Sequence, residues 1–140
     1  MIILSCDHAG FEYMQKFIKI LNEKNIEYHY LGPENFNPDD DYPDFIKPAA
    51  KEVLKDEKNR GIFMCGSGAG ANMVANRFKG IRAICASDTK EAFYARKDED
   101  SNVLTIGSRF VSFRKALKII NVFLTSEFEG GRHARRIAKY

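Results

Sequence analysis

Short apolar runs alternate with longer stretches in which apolar residues recur at helical spacing. "IILSC" (2–6), "EYHYL" (27–31), "GIFMC" (61–65), "RAICA" (82–86) and "NVLTI" (102–106) have the length and composition of strands. Phe11, Met14, Phe17, Ile18 and Leu21 form one helical stripe. Ala116, Leu117, Ile119, Ile120, Phe123 and Leu124 form another. Strands alternating with helices predict βαβ units and a parallel sheet covered on both faces. Right-handed crossovers then favour an α/β, Rossmann-like three-layer αβα sandwich with five parallel strands, followed by a basic helical tail. No repeat or low-complexity tract divides the chain, and residues 1–140 are expected to form one domain. The polar link "GPENFNPDDDYPD" (32–44) is the only sizeable loop expected.

Sheets of this kind bind ligands beyond the C-terminal ends of their strands. Three unusual segments fall at such ends: "CDH" after the first strand, "CGSG" after the third and "GSR" after the fifth. Their coincidence localises a candidate site.

The composition narrows the classes. With 44% hydrophobic and 29% charged residues the chain has the make-up of a globular protein. A net charge of +3 is too small to argue for nucleic acid. Cys6, Cys65 and Cys85 show no metal-type spacing and are odd in number, which suits a reducing cytoplasm better than a disulfide scaffold. The opening "MIILSCDHAGF" is too short and polar for a secretory signal. No run reaches membrane-spanning length, so no membrane partner is expected.

The segment "FMCGSGAGANM" (63–73) admits two readings. Gly66, Gly68 and Ala71 satisfy a dinucleotide fingerprint, with Asp88 about one βα unit later. That fingerprint normally opens the first βα unit, whereas here it follows the third strand, and 140 residues leave little room for a separate substrate domain. In the other reading, consecutive N–H groups of a glycine-rich turn at a helix N-terminus form a hole for a developing oxyanion. Cys65 is then a nucleophile or a base beside that hole, and Ser67 adds a hydroxyl donor. Cys6 and Cys85 are expected to be small buried hydrophobes, the usual fate of a free cysteine.

Asp7 and His8 should stand at the same sheet end as Cys65. His8 is suited to proton transfer or to anion binding, and His29 to a surface or sheet-packing position. In "FEGGRHARRIAKY" two glycines precede a short basic helix, where Arg132 and Arg136, four apart, share one face. Paired guanidinium groups suit phosphate. Without interleaved aromatic residues they argue for a small phosphate compound and not for nucleic acid.

Taken together, "CDHAGF", "DYPDF", "CGSGAGANMVANRFKGIRA", "NVLTIGSR" and "FEGGRHARRIAK" resemble the type B ribose-5-phosphate isomerases and their galactose- and allose-6-phosphate relatives. The resemblance spans essentially the whole chain. It implies a metal-free, cofactor-free interconversion of aldose and ketose phosphates through an enediolate. Cys65 then matches the base, Ser67 the hydroxyl beside the enediolate, and Gly66, Gly68, Ala69 and Gly70 the oxyanion hole. Asp7 and His8 match the pair near sugar and phosphate. Tyr42 matches a tyrosine in the loop over the pocket, and Arg109, Arg132 and Arg136 match phosphate ligands. The resemblance also implies homodimers or dimers of dimers with sites shared across the interface, and a C-terminal tail anchored near the active site. One departure stands out: Asp98 and Glu99 occupy the positions where many ribose-type members carry a His-Asn pair, the histidine opening the sugar ring. A hexose 6-phosphate is therefore the alternative substrate. Outside that chemistry stand a nucleotide-binding oxidoreductase and a non-catalytic partner subunit.

Overall fold

The computed structural model describes residues 1–140. Five strands alternate with helices: β1 (Ile2–Cys6), α1 (His8–Glu23), β2 (Tyr28–Tyr30), α2 (Tyr42–Val53), β3 (Arg60–Cys65), α3 (Ala69–Ala75), β4 (Ala83–Cys85), α4 (Thr89–Lys97), β5 (Val103–Gly107), α5 (Phe113–Thr125) and α6 (Arg132–Ile137). The strands form one parallel sheet in the order β2-β1-β3-β5-β4. The α/β sandwich expected from the alternation is therefore the fold observed.

Period-two alternation along the strands separates the two layers. Leu4, Cys6, Ile62, Met64, Leu104 and Ile106 point to the side where Met14, Phe17 and Leu21 of α1 meet Ala116, Ile119, Ile120 and Phe123 of α5. Ile3, Phe63, Cys65 and Val103 point to the other, against Ile46, Ala49, Ala50 and Val53 of α2 and Ala71 and Ala75 of α3. Both faces are covered, which is why the central strands read as unbroken apolar runs. β2 and β4 are the edges and have only three residues each, a common way to limit edge-to-edge pairing.

Local chemistry sets the helix starts. Asp7 caps α1 by accepting from the Gly10 N–H at 3.0 Å. Asp88 and Glu91 form a reciprocal capping box on α4. Ser112 caps α5 through the Lys115 N–H. The polar link is shorter than the sequence suggests. Proline at the first positions of α2 suits a helix start, so Tyr42 is a helical residue and not a loop residue.

Candidate active site

The strand order reverses between β1 and β3, the place where doubly wound sheets open a crevice at their C-terminal ends. A pocket of about 230 Å³ lies there, lined by Asp7, His8, Ala9, Tyr42, Cys65, Gly66, Ser67, Gly70 and Arg109. The expected convergence of "CDH", "CGSG" and "GSR" is thus what the fold produces.

Cys65 is the last residue of β3 and is buried; the Gly68 N–H donates to its Sγ at 3.1 Å. Gly68 makes this possible by adopting a left-handed conformation, φ 78°, at the N-cap of α3. The neighbouring Ala69 N–H is taken up by Ser67 Oγ at 3.2 Å. The N–H groups of Gly66, Ser67 and Gly70 find no acceptor within the chain. Three backbone donors and the Ser67 hydroxyl therefore surround the mouth of the pocket beside a thiol. Gly68 and Ala69 form its back and the start of α3, and only Gly66 and Gly70 of the expected hole glycines line the cavity.

Arg109 is held against this loop by backbone pairing that continues past the strand ends. The Ser108 N–H donates to Cys65 O and the Arg109 N–H to Gly66 O, each at 3.0 Å. The Ser108 hydroxyl donates to Ala9 O at 2.6 Å, tying in the start of α1. A Cβ on Gly66 would lie 3.0 Å from the Arg109 guanidinium carbon, and one on Gly70 would lie 2.7 Å from the Tyr42 ring. Both side chains thus pack directly on glycines. Arg109 is exposed and makes no ion pair.

His8 faces the same space with a partner that the sequence did not single out. Asp40 Oδ1 accepts from both the His8 backbone N–H at 3.0 Å and its Nδ1 at 2.6 Å. That hydrogen bond raises the His8 pKa above its ordinary value. Asp7 and Asp40 add to the effect through their charge, while burial and Arg109 oppose it. Asp7 is itself buried, with Oδ1 committed to capping α1.

The remaining expected residues lie elsewhere in the chain. Asp98 and Glu99 line a separate cavity of about 510 Å³ beside β4, with Arg82, Tyr94 and Tyr140. Asp98 ends α4, with its Oδ1 3.7 Å from Nε2 of the buried His133, while Glu99 accepts from the Tyr140 hydroxyl at 2.6 Å. The tail is thus anchored on the α4–β5 connection. Arg132 and Arg136 stand exposed on α6 without ion pairs. Cys85, expected to be buried, is exposed because β4 is an edge strand, and its Sγ lies 3.7 Å from Ser67 O. Cys6 is buried as expected, and His29 is a surface residue 3.6 Å from Glu52. Two sets of side chains have the reach to surround a cation: Asp7, His8 and Asp40, and Asp98, Glu129 and His133. In the first, His8 Nδ1 is already engaged by Asp40.

Known proteins are similar to this chain over nearly its whole length. A protein of Mycoplasma pneumoniae named probable ribose-5-phosphate isomerase B is 41% identical over 138 residues, covering 99% of this chain and 91% of that protein. The ribose-5-phosphate isomerase B of Escherichia coli is 36% identical, covering 97% and 91%. The crystal structure of ribose-5-phosphate isomerase B from Mycoplasma genitalium with bound ribulose-5-phosphate superposes with a TM-score of 0.94 at 40% identity, covering 99% of this chain and 91% of that one. Residues 2–140 match a single family model, and on that match this chain is a member of the Ribose/Galactose Isomerase family.

Proposed function

We propose that this protein is an aldose–ketose isomerase that interconverts ribose 5-phosphate and ribulose 5-phosphate through an enediolate. The observation that carries the reading is the placement of Cys65 Sγ among donors, with two basic side chains across one small pocket. The Cys65 thiolate takes the proton from C2 of the aldose, and the carbonyl oxygen on C1 becomes the enediolate oxyanion. Return of the proton to C1, with transfer of the hydroxyl proton between the two oxygens, gives the ketose without net redox change. The proton alpha to a carbonyl is too weakly acidic for a thiolate unless the oxyanion is stabilised. The open N–H groups of Gly66, Ser67 and Gly70 and the Ser67 hydroxyl supply that stabilisation. One such donor is worth about 2.7–4 kcal/mol of barrier in comparable sites. His8 and Arg109 receive the phosphate, Tyr42 walls the sugar, and Asp7 fixes the geometry from below. Binding at the phosphate orients C1 and C2 against the sulfur.

The working form is a dimer in which a second copy completes each site. The pocket of about 230 Å³ is smaller than the roughly 300 Å³ at which ligand sites ordinarily begin. Arg132 and Arg136 remain unpaired on the surface, and the cavity holding Asp98 and Glu99 opens separately. In the dimer these residues close over the Cys65 pocket of the neighbour, with Asp98 serving ring opening and Glu99 contacting the sugar. Three unpaired cysteines suit a cytoplasmic enzyme of pentose phosphate interconversion. The acidic pair at 98–99 favours a hexose 6-phosphate as the second reading within the same chemistry.

The test is a substrate panel of ribose, allose and galactose phosphates with purified protein. Preference for ribose 5-phosphate is expected, and a strong preference for a hexose 6-phosphate would replace it with the second reading. Inactive Cys65→Ala and an inactive double variant Arg132→Ala/Arg136→Ala are then mixed and allowed to exchange subunits. Shared sites predict recovery of roughly a quarter of the wild-type activity, because half of the dimers are mixed and each carries one intact site. No recovery despite exchange would confine each site to one chain.

A further inference from the structure

Asp40 lies in the polar link between β2 and α2, among three consecutive aspartates, and it alone turns inward. Its side chain is only 6% exposed, and one oxygen serves both the backbone N–H and the ring Nδ1 of His8. Its other oxygen, Oδ2, is buried without a partner. A carboxylate in such surroundings is costly unless an opposite charge compensates it, and the His8 ring is the group in place to do so. Donation from Nδ1–H to Asp40 also fixes the ring, leaving Nε2 as the nitrogen free to meet a ligand.

His8 shares its pocket with Asp7 after β1, Arg109 after β5, Tyr42 of α2, Cys65 at the end of β3 and Ser67 in the loop that follows. Phe36 stands edge-on to the imidazole at 6.4 Å and to Phe11 at 6.3 Å, placing an apolar wall beside the pair. The Asp40 hydrogen bond and the charges of Asp7 and Asp40 favour a positive ring, while burial and the charge of Arg109 oppose it.

We propose that Asp40 is a positioning residue that holds His8 as a cation with Nε2 turned into the pocket, so that His8 and Arg109 together present two positive groups to a phosphate. This rests on the reading that the phosphate end of the substrate binds here. The pair favours the charged ring and fixes its orientation, which makes His8 a fixed anion ligand. Asp40 touches no substrate and acts only through His8.

Two measurements separate this claim from the isomerase reading. The first is an NMR titration of the His8 ring in the free protein, which needs no substrate. In the wild type the ring should titrate above an ordinary histidine, and in Asp40→Asn it should return towards the ordinary value. Equal titration in both proteins would overturn the proposal. The second follows KM and kcat against pH on the sugar phosphate that the enzyme turns over. Asp40→Asn should raise KM at pH 7.5 severalfold while kcat changes little, the direction expected when His8 loses the carboxylate that favours its charged form. Asp40→Glu should restore the profile. In a His8→Gln background Asp40→Asn should add nothing to KM, because the two residues act as one unit. A fall in kcat with KM unmoved, or additive effects in the double variant, would overturn the proposal. Should Asp40→Asn fail to fold, His8→Gln and Asp40→Glu still decide it. The first must reproduce the rise in KM, and the second must retain a high His8 titration. Inorganic phosphate binding, followed by the His8 resonances, serves as the ligand test independent of isomerase activity.

Discussion

Gly68 is the hinge on which the sulfur environment turns, and its replacement by alanine gives a worked prediction. At φ 78° an alanine carries left-handed strain of about 1–2 kcal/mol. Its Cβ would lie 2.7 Å from Cys85 Sγ, 2.8 Å from Gly107 N and 3.0 Å from Ile106 C. The exposed Cys85 side chain can swing away, but the β5 backbone cannot, and overpacking of this kind costs about 1–3 kcal/mol. Gly68→Ala should therefore lose about 2–5 kcal/mol in urea unfolding followed by circular dichroism. The shift also draws the Gly68 N–H from Cys65 Sγ, so kcat should fall in protein that remains folded. Gly130→Ala is the control: φ 72° carries similar strain, but no atom lies within 4 Å of the added carbon. It should cost only the conformational part, about 1–2 kcal/mol, with turnover intact. Equal losses for the two variants, or unchanged kcat in Gly68→Ala, would refute the reasoning.

Other sites give simpler expectations. Burial pushes the Cys6 thiol up to about 12, against a partly offsetting hydrogen bond with Tyr30. The folded protein therefore keeps this proton where the unfolded chain has lost it. The stabilisation is full below about pH 9 and declines as pH rises towards 12. Cys6→Ala should flatten that alkaline decline in urea titrations between pH 8 and 11, and an unchanged slope would show that another group causes it. Asp88→Ala removes the α4 capping box, in which Asp88 Oδ1 accepts from the Glu91 N–H at 2.9 Å and Glu91 Oε2 reaches back to the Asp88 N–H at 3.3 Å. It should cost about 0.5–2 kcal/mol with Asp88→Asn close to neutral, measured by the same unfolding.

Much of the fold was legible because the central strands are buried on both faces and so read as apolar runs. β1 falls where the pattern puts it, and β3 and β5 shift by one residue at most. The start of α2 was hidden by prolines and aspartates that resemble a loop yet suit a helix N-terminus. Cys85 reads as buried in the sequence because an apolar triplet looks alike at the centre and at the edge of a sheet, and strand order is a tertiary property. Cys65, Asp7, His8, Ser67 and Arg109 are legible as one group because each lies at a strand end or within two residues of it. Asp40 could not: among Asp39, Asp40 and Asp41, only the path of the link decides which carboxylate meets His8. Asp98 and Glu99 beside β4, and Arg132 and Arg136 on α6, lie away from the Cys65 pocket of their own chain, and no strand-end argument decides where such residues face.

The central claim is that Cys65 moves the proton. Steady-state isomerisation of ribose 5-phosphate by Cys65→Ala, with folding checked by circular dichroism, tests it most directly. A general base of this kind contributes about 10²–10⁴-fold, so turnover should fall by that factor with substrate binding largely kept. Turnover near the wild-type rate would contradict the account.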